Sequence, residues 1–224
     1  MTAKQKRIML ASIAVGLVIG AFFTATQEIT STHANISAVF ILLFAAPTYF
    51  FIVKSLGFKK GIGLLLSLGV FALIVESSAI NTGFPYGNFI YNELLGSKVL
   101  GLTPWTVAFA WPPILLLSYT LAVKTEKRLL FLTITYAALL AMVVDIVLDP
   151  AAVSLGFWYW SPPGFFYGVP LINFTGWILT GFFGAIIAWF FIRENISTEF
   201  LYSGIAVVWF WSWVNVFQLQ TLPA

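Results

Sequence analysis

Three acidic residues stand where an apolar chain should carry none. Glu76, Asp145 and Asp149 each lie inside a long run that is otherwise uncharged. A carboxylic acid near the centre of a bilayer costs on the order of 2.5–3.5 kcal/mol, somewhat less toward the interface. No Lys or Arg occurs within any of these runs to neutralise them. Asp145 and Asp149 are four residues apart, which on a helix places them on one face with Cβ atoms roughly 6 Å apart. Acids crowded together in an apolar surround cannot all be ionised, so at least one is expected to hold a proton. A neutral acid beside an ionised one can divide the work of proton donation and water activation. Two structural roles compete with this chemistry. Asp149 precedes Pro150 and could cap a short helix ending near Gly156; Asp145 and Glu76 could share an interhelical hydrogen bond in protonated form.

The elements that must hold these acids are membrane helices. The chain has 224 residues, 60 % of them hydrophobic and 18 % aromatic, with only 11 Lys plus Arg and 8 Asp plus Glu. Soluble chains carry roughly 25 % charged residues, and this one carries 8 %, so lipid is the expected solvent. With no Cys in the chain, disulfide scaffolds, thiol catalysis, Cys-ligated zinc and iron–sulfur clusters are excluded. A net charge of +3 scattered over short loops is no basic patch, so nucleic acid is not an expected partner. Seven runs are long enough to cross a core that takes roughly 20 helical residues: 8–26, 36–53, 62–80, 104–123, 129–149, 171–192 and 200–219. They leave no room for a separate soluble domain. The expected fold is all-α, a polytopic protein with seven transmembrane helices forming one integral-membrane domain over residues 1–224, in the cell membrane.

Basic residues orient the bundle. Lys4, Lys6, Arg7, Lys54, Lys59, Lys60, Lys124, Lys127, Arg128 and Arg193 alternate to one side of seven spans, and Lys98 alone lies on the other. Cytoplasmic loops retain Lys and Arg, so the N-terminus is expected in the cytoplasm and the C-terminus outside. The first run resembles a signal peptide in position, but its apolar stretch is long and is expected to be retained. The remaining acids, Glu28, Glu93, Glu126, Glu194 and Glu199, fall in loops or at span ends. Glu76, Asp145 and Asp149 all sit in the outer halves of the third and fifth spans. They can therefore converge on one cavity near the outer leaflet.

Two outer connections are unusual. Residues 81–103 begin NTGFPYGNFIYNE, whose Gly83, Pro85 and Gly87 break helix. Residues 150–170 carry no charge and are rich in aromatics, among them Phe157, Trp158, Tyr159, Trp160, Phe165, Phe166 and Tyr167. Such a loop is expected to fold back into the outer interface. With Trp111 these rings could shield a cation, worth about 2 kcal/mol or more at a dry site, or could form an interfacial aromatic belt. Small residues recurring every four positions, Gly176, Thr180, Gly184 and Ala188, predict close helix packing, as Gly16 and Gly20 do more weakly. His33, the one histidine, reads as a solvated loop residue.

ESSAINTGFPYGNFIY from Glu76, DIVLDP from Asp145, WYW from Trp158 and GVPLINFTGW from Gly168 together resemble the integral-membrane carotenoid hydratases, over about residues 76–177. The resemblance implies a carotenoid 1,2-hydratase of carotenoid biosynthesis. Such an enzyme adds water to the terminal C=C of an acyclic carotenoid through a tertiary carbocation. It implies Glu76, Asp145 and Asp149 as catalytic residues and Thr82, Trp158, Trp160 and Asn173 as substrate-binding residues, to which Tyr86 and Asn88 of the turn and Trp111 of the fourth span are added as substrate-binding candidates. Gly83, Pro85 and Gly87 match in the turn. Neither metal nor nucleotide cofactor is required. The implied partners are an acyclic carotenoid, membrane lipid and other membrane enzymes of the carotenoid pathway.

Other readings of the same residues remain open at this point. A cofactor-free carotenoid or terpene cyclase would quench the same cation internally, and a proton-coupled transporter of lipid or small solute would use the acids without chemistry. A prenyltransferase could use Asp145 and Asp149 to bind magnesium diphosphate, but no Lys or Arg lies near to bind the phosphates. A retinal Schiff base needs a Lys in a span, and residues 200–219 have none.

Overall fold

The computed structural model describes residues 2–126, 129–193 and 196–221; Lys127, Arg128 and Glu194 lie outside the described residues. Seven helices account for most of it: α1 (Ala3–Thr26), α2 (Ala34–Leu56), α3 (Phe58–Thr82), α4 (Val107–Thr125), α5 (Leu130–Ser154), α6 (Leu171–Ile192) and α7 (Tyr202–Thr221). All seven are long and apolar enough to cross a membrane. The protein is an all-α, multi-pass membrane protein, in agreement with the seven apolar runs. Within lipid every backbone polar group must be satisfied inside its own segment, and the helix is the structure that does so.

Helix α4 lies at the centre, packed against α2, α3, α5, α6 and α7, and its side chains are the most thoroughly buried of any span. Helix α1 is peripheral and leans along α7. Lys54 on α2, Lys59 and Lys60 on α3, Lys124 on α4 and Arg193 after α6 all lie at the end of the bundle where α1 begins.

Small residues set the helix spacings. A Cβ on Gly181 would lie 3.1 Å from the Ala138 Cα, and one on Gly184 would lie 2.8 Å from a Leu115 methyl, so α6 is drawn tightly against α5 and α4. Thr180 and Ala188 of the same stripe are buried, as the four-residue spacing predicts. The weaker stripe on α1 behaves differently. Gly16 has nothing within 4 Å of such a Cβ and Gly20 only a Phe210 ring carbon at 3.7 Å, because α1 meets the rest of the bundle mainly along α7.

Gly176 bears on the site directly. Its hypothetical Cβ would sit 2.5 Å from the Pro85 carbonyl oxygen, so the turn after α3 rests against the backbone of α6. Gly176→Ala is expected to lower stability in detergent by about 1–3 kcal/mol, the usual cost of overpacking, read as a drop in thermal midpoint. An unchanged midpoint would mean that the turn moves aside freely.

Two short antiparallel pairs interrupt the helices, neither of which the sequence pattern predicts. Strand β1 (Phe89–Tyr91) pairs with β4 (Trp158–Trp160), and β2 (Lys98–Val99) with β3 (Thr103–Pro104). The first pair joins the two unusual outer connections into one cap. The sequence also allows Asp149 to start a new helix at Pro150. In the structure α5 runs through Pro150 to Ser154, so Asp149 caps nothing. Proline lacks the N–H that would bond the carbonyl four residues back, and beside that break Asn215 of α7 donates to the Val147 carbonyl at 2.7 Å.

Candidate active site

The three acids face one cavity of about 470 Å³. Glu76 comes from the penultimate turn of α3, while Asp145 and Asp149 come from successive turns near the end of α5. All three are buried, with relative exposures of 5 %, 1 % and 3 %. Around them the cavity is lined by Tyr86, Phe89, Tyr91, Trp111, Phe157, Trp158, Trp160, Asn173 and Trp177. The acid-bearing end is the end opposite Lys54, Lys59, Lys60, Lys124 and Arg193.

Asn173 fixes the relation between α5 and α6. Its side-chain amide nitrogen donates to Asp145 Oδ2 at 2.7 Å and to Asp149 Oδ2 at 2.6 Å, one N–H to each carboxyl group. The shared donor holds the two carboxyl groups side by side. Two adjoining carboxylates out of water repel each other, and a proton on one of them relieves the repulsion. Trp158 lines the cavity beside Asp149. Asp145 Oδ1, by contrast, has no partner among the described residues. A buried carboxyl oxygen left free is costly unless something else comes to meet it.

Glu76 is held separately. It lines the cavity beside Tyr91 and Trp111, and its Oε2 has no partner among the described residues. Burial, and then the Glu76 charge, push the Tyr91 and Tyr86 phenols well above the ordinary tyrosine range. Both phenols therefore keep their protons. Tyr86 donates to Thr180 at 2.8 Å, and the Thr180 hydroxyl donates in turn to the Gly176 carbonyl at 3.0 Å. The acids share a cavity, yet among the described residues no three His, Asp or Glu side chains gather closely enough to chelate a cation. The arrangement suits proton transfer at two separate oxygens.

The aromatic wall is built by strand geometry. Side chains alternate across a strand, so Phe89 and Tyr91 turn inward while Ile90 turns out, and Trp158 and Trp160 turn inward while Tyr159 turns out. The register sets Phe89 opposite Trp160 and Tyr91 opposite Trp158, with ring centroids 5.7 and 5.6 Å apart. Trp160 also donates its indole N–H to the Tyr86 carbonyl at 2.8 Å. Deeper in, Trp111 and Trp177 lie 4.8 Å apart and tilted, with Tyr86 against both. The rings thus serve as wall and as hydrogen-bond donors, a pairing of roles open to Trp and Tyr.

The sequence-derived residues divide into two groups. The cavity gathers Glu76, Asp145, Asp149, Tyr86, Trp111, Trp158, Trp160 and Asn173. Thr82 and Asn88 lie outside its lining, exposed at the turn. The Thr82 hydroxyl is engaged at the end of α3, donating to the Ser78 carbonyl at 2.7 Å and accepting from the Phe84 N–H at 3.1 Å. Asn88 lies against Gly83, where a Cβ would meet its Oδ1 at 2.6 Å, so only glycine fits there at φ 75°. Phe165 and Tyr167 of the charge-free loop point away from the protein. Phe157, one of the loop rings expected to shield a cation, lines the site, and Phe89, Tyr91 and Trp177 line it without having been named as site residues from sequence. The alternation in FIY and WYW was the available signal, and each spans only three residues.

The model of a family described as carotenoid biosynthesis protein matches residues 36–224, a segment that holds every helix except α1. Bisanhydrobacterioruberin hydratase of Haloarcula japonica is 38 % identical over 117 residues, covering 49 % of this chain and 38 % of the relative. The matched stretch is thus well under half the length of that relative. No solved structure matches the chain.

Proposed function

The chain belongs to the carotenoid biosynthesis protein family, and we propose that it is a hydratase that adds water to the terminal C=C of an acyclic carotenoid. The observation that carries this reading is a pair of free, buried carboxyl oxygens, Asp145 Oδ1 and Glu76 Oε2, in one apolar cavity walled by aromatic rings. The name of the Haloarcula relative supports it.

Hydration of a trisubstituted alkene needs a proton on one carbon, a tertiary cation at the next, and a water. The Asp145–Asp149 pair holds the proton, and the free Oδ1 of Asp145 delivers it to the less substituted alkene carbon. Positive charge then develops on the neighbouring carbon, where the faces of Trp111, Trp158 and Trp177 stabilise it. Water adds to that carbon and its surplus proton passes to Glu76, whose free Oε2 faces the cavity beside Tyr91 and Trp111. The proton count closes when Glu76 returns its proton to the pair through water. No metal or nucleotide takes part in these steps. Asn173 acts through the two aspartates, not through the substrate.

Further proposals follow from the same frame. The chain forms one integral-membrane domain, with the basic end of the bundle in the cytoplasm and the acids near the outer face. Other membrane enzymes of the carotenoid pathway are candidate partners.

Asn173→Ala leaves the two carboxyl groups without their common donor. Hydration is expected to fall by about 10- to 100-fold, the scale on which losing a supporting hydrogen bond weakens a site. Asn173→Gln should fail to restore it, since the longer side chain cannot hold both oxygens from the same place. Equal rates for Asn173→Ala and the unaltered protein would remove the positioning role.

The direct test is expression in a host that makes an acyclic carotenoid, followed by mass analysis of the pigments. A gain of one water per modified end supports hydration. A changed spectrum at unchanged mass would point to cyclisation, and unchanged pigment to transport.

A further inference from the structure

The cavity does not end at the aromatic wall. From the acids it continues between α1 and α2, lined by Gly20 and Phe23 on one side and Ser37, Phe40 and Phe44 on the other, with Phe210 of α7 behind. Phe23 and Phe40 line it although they are 55 % and 51 % exposed. Residues that belong both to a cavity wall and to the outer surface mark a mouth. Helix α1 leans on α7 and makes little contact with α2, so among the described residues nothing closes the gap at that depth. At its outer rim the lining turns polar, with Gln27, Glu28 and His33.

We propose that this gap is a lateral portal in which a long acyclic isoprenoid polyene lies, its reacting end at the acids and its remaining length passing between α1 and α2 into the lipid. The assignment rests on the hydratase reading only for the identity of the chain; the portal itself stands on the geometry. Size requires an exit. Roughly 300–1,000 Å³ encloses a drug-sized ligand, and about 470 Å³ takes one end of a polyene, not its whole length. Polarity selects the route. An apolar chain crossing Gln27, Glu28 and His33 would strip water from polar groups without replacing it. Between Phe23, Phe40 and Phe44 it exchanges lipid contacts for aromatic ones. The bilayer is also where such a molecule dissolves, so approach from the side needs no transfer through water.

The test uses the full chain in phosphatidylcholine vesicles loaded with an acyclic carotenoid, and reads pigment retained per protein after purification. Gly20→Trp and Ser37→Trp place an indole in the gap from opposite helices, so misfolding of one leaves the other informative. Val39→Trp, on the exposed lipid face of α2 outside the lining, is the control. Each gap variant is expected to cut retained pigment by about tenfold, a loss of ~1.4 kcal/mol in affinity, while Val39→Trp retains it fully. A short acyclic terpene with the same terminal alkene should still be hydrated by the gap variants, since it fits inside. Wild-type retention in both gap variants, or no retention by the unaltered protein, overturns the portal. Pigment lost from the gap variants but never hydrated by any form would keep the portal and sink the hydratase.

Discussion

Asp145→Asn is expected to abolish hydration, by about 10²–10⁴-fold, the range over which a positioned acid or base contributes, while the protein still folds and still holds carotenoid. The substitution keeps the side chain's shape, and the new amide carbonyl can still accept from Asn173, whose N–H lies 2.7 Å from Asp145 Oδ2. What disappears is the transferable proton at Oδ1, the atom left without a partner in the cavity. Stability gives the decisive contrast. Replacing one of two adjoining buried acids by a neutral isostere lessens an unfavourable burial, so the thermal midpoint should stay level or rise. A residue kept only for structure would show the opposite, a lower midpoint. Asp145→Asn with full hydration would refute its role as donor.

Glu76→Gln is expected to remove hydration to a similar extent, but at a later step. Proton delivery remains intact, so the cation still forms and can lose its proton again. In heavy water this variant should return carotenoid that has gained deuterium at its end group and no oxygen. Asp145→Asn should return carotenoid with neither. The two variants thus separate donor from acceptor: a reversed pattern would exchange the roles of Glu76 and Asp145, and identical patterns would mean that the carboxyl groups act as one unit. The geometry favours separation, because Asp145 shares Asn173 with Asp149 while Glu76 reaches the cavity from a different helix, α3.

Much of this site was legible because lipid is an unforgiving solvent. Glu76, Asp145 and Asp149 stood out as charges without neutralising partners in their spans, and all three line the cavity. The seven apolar runs became seven helices for the same reason. What sequence could not supply was the relation between segments distant along the chain. The pairing of Phe89 with Trp160 joins two loops through strands too short to show a period. Asn173 read as a substrate contact until its depth relative to α5 placed its amide on both aspartates. Asp149 before Pro150 read as a helix start, yet α5 continues because its backbone lies where breaking a helix is costly. Thr82 carried a family motif, and its hydroxyl is engaged in finishing α3.

The portal and the acids make one physical account, in which lipid delivers the alkene from the side and the acids meet its end. The central claim is that a water oxygen becomes part of the carotenoid. Purified protein in vesicles, given an acyclic carotenoid in water enriched in oxygen-18 and kept free of dioxygen, tests it most directly. The account predicts one heavy oxygen at each modified end, in a product heavier than the substrate by one labelled water. An isomeric product of unchanged mass, or an added oxygen without the label, would contradict it.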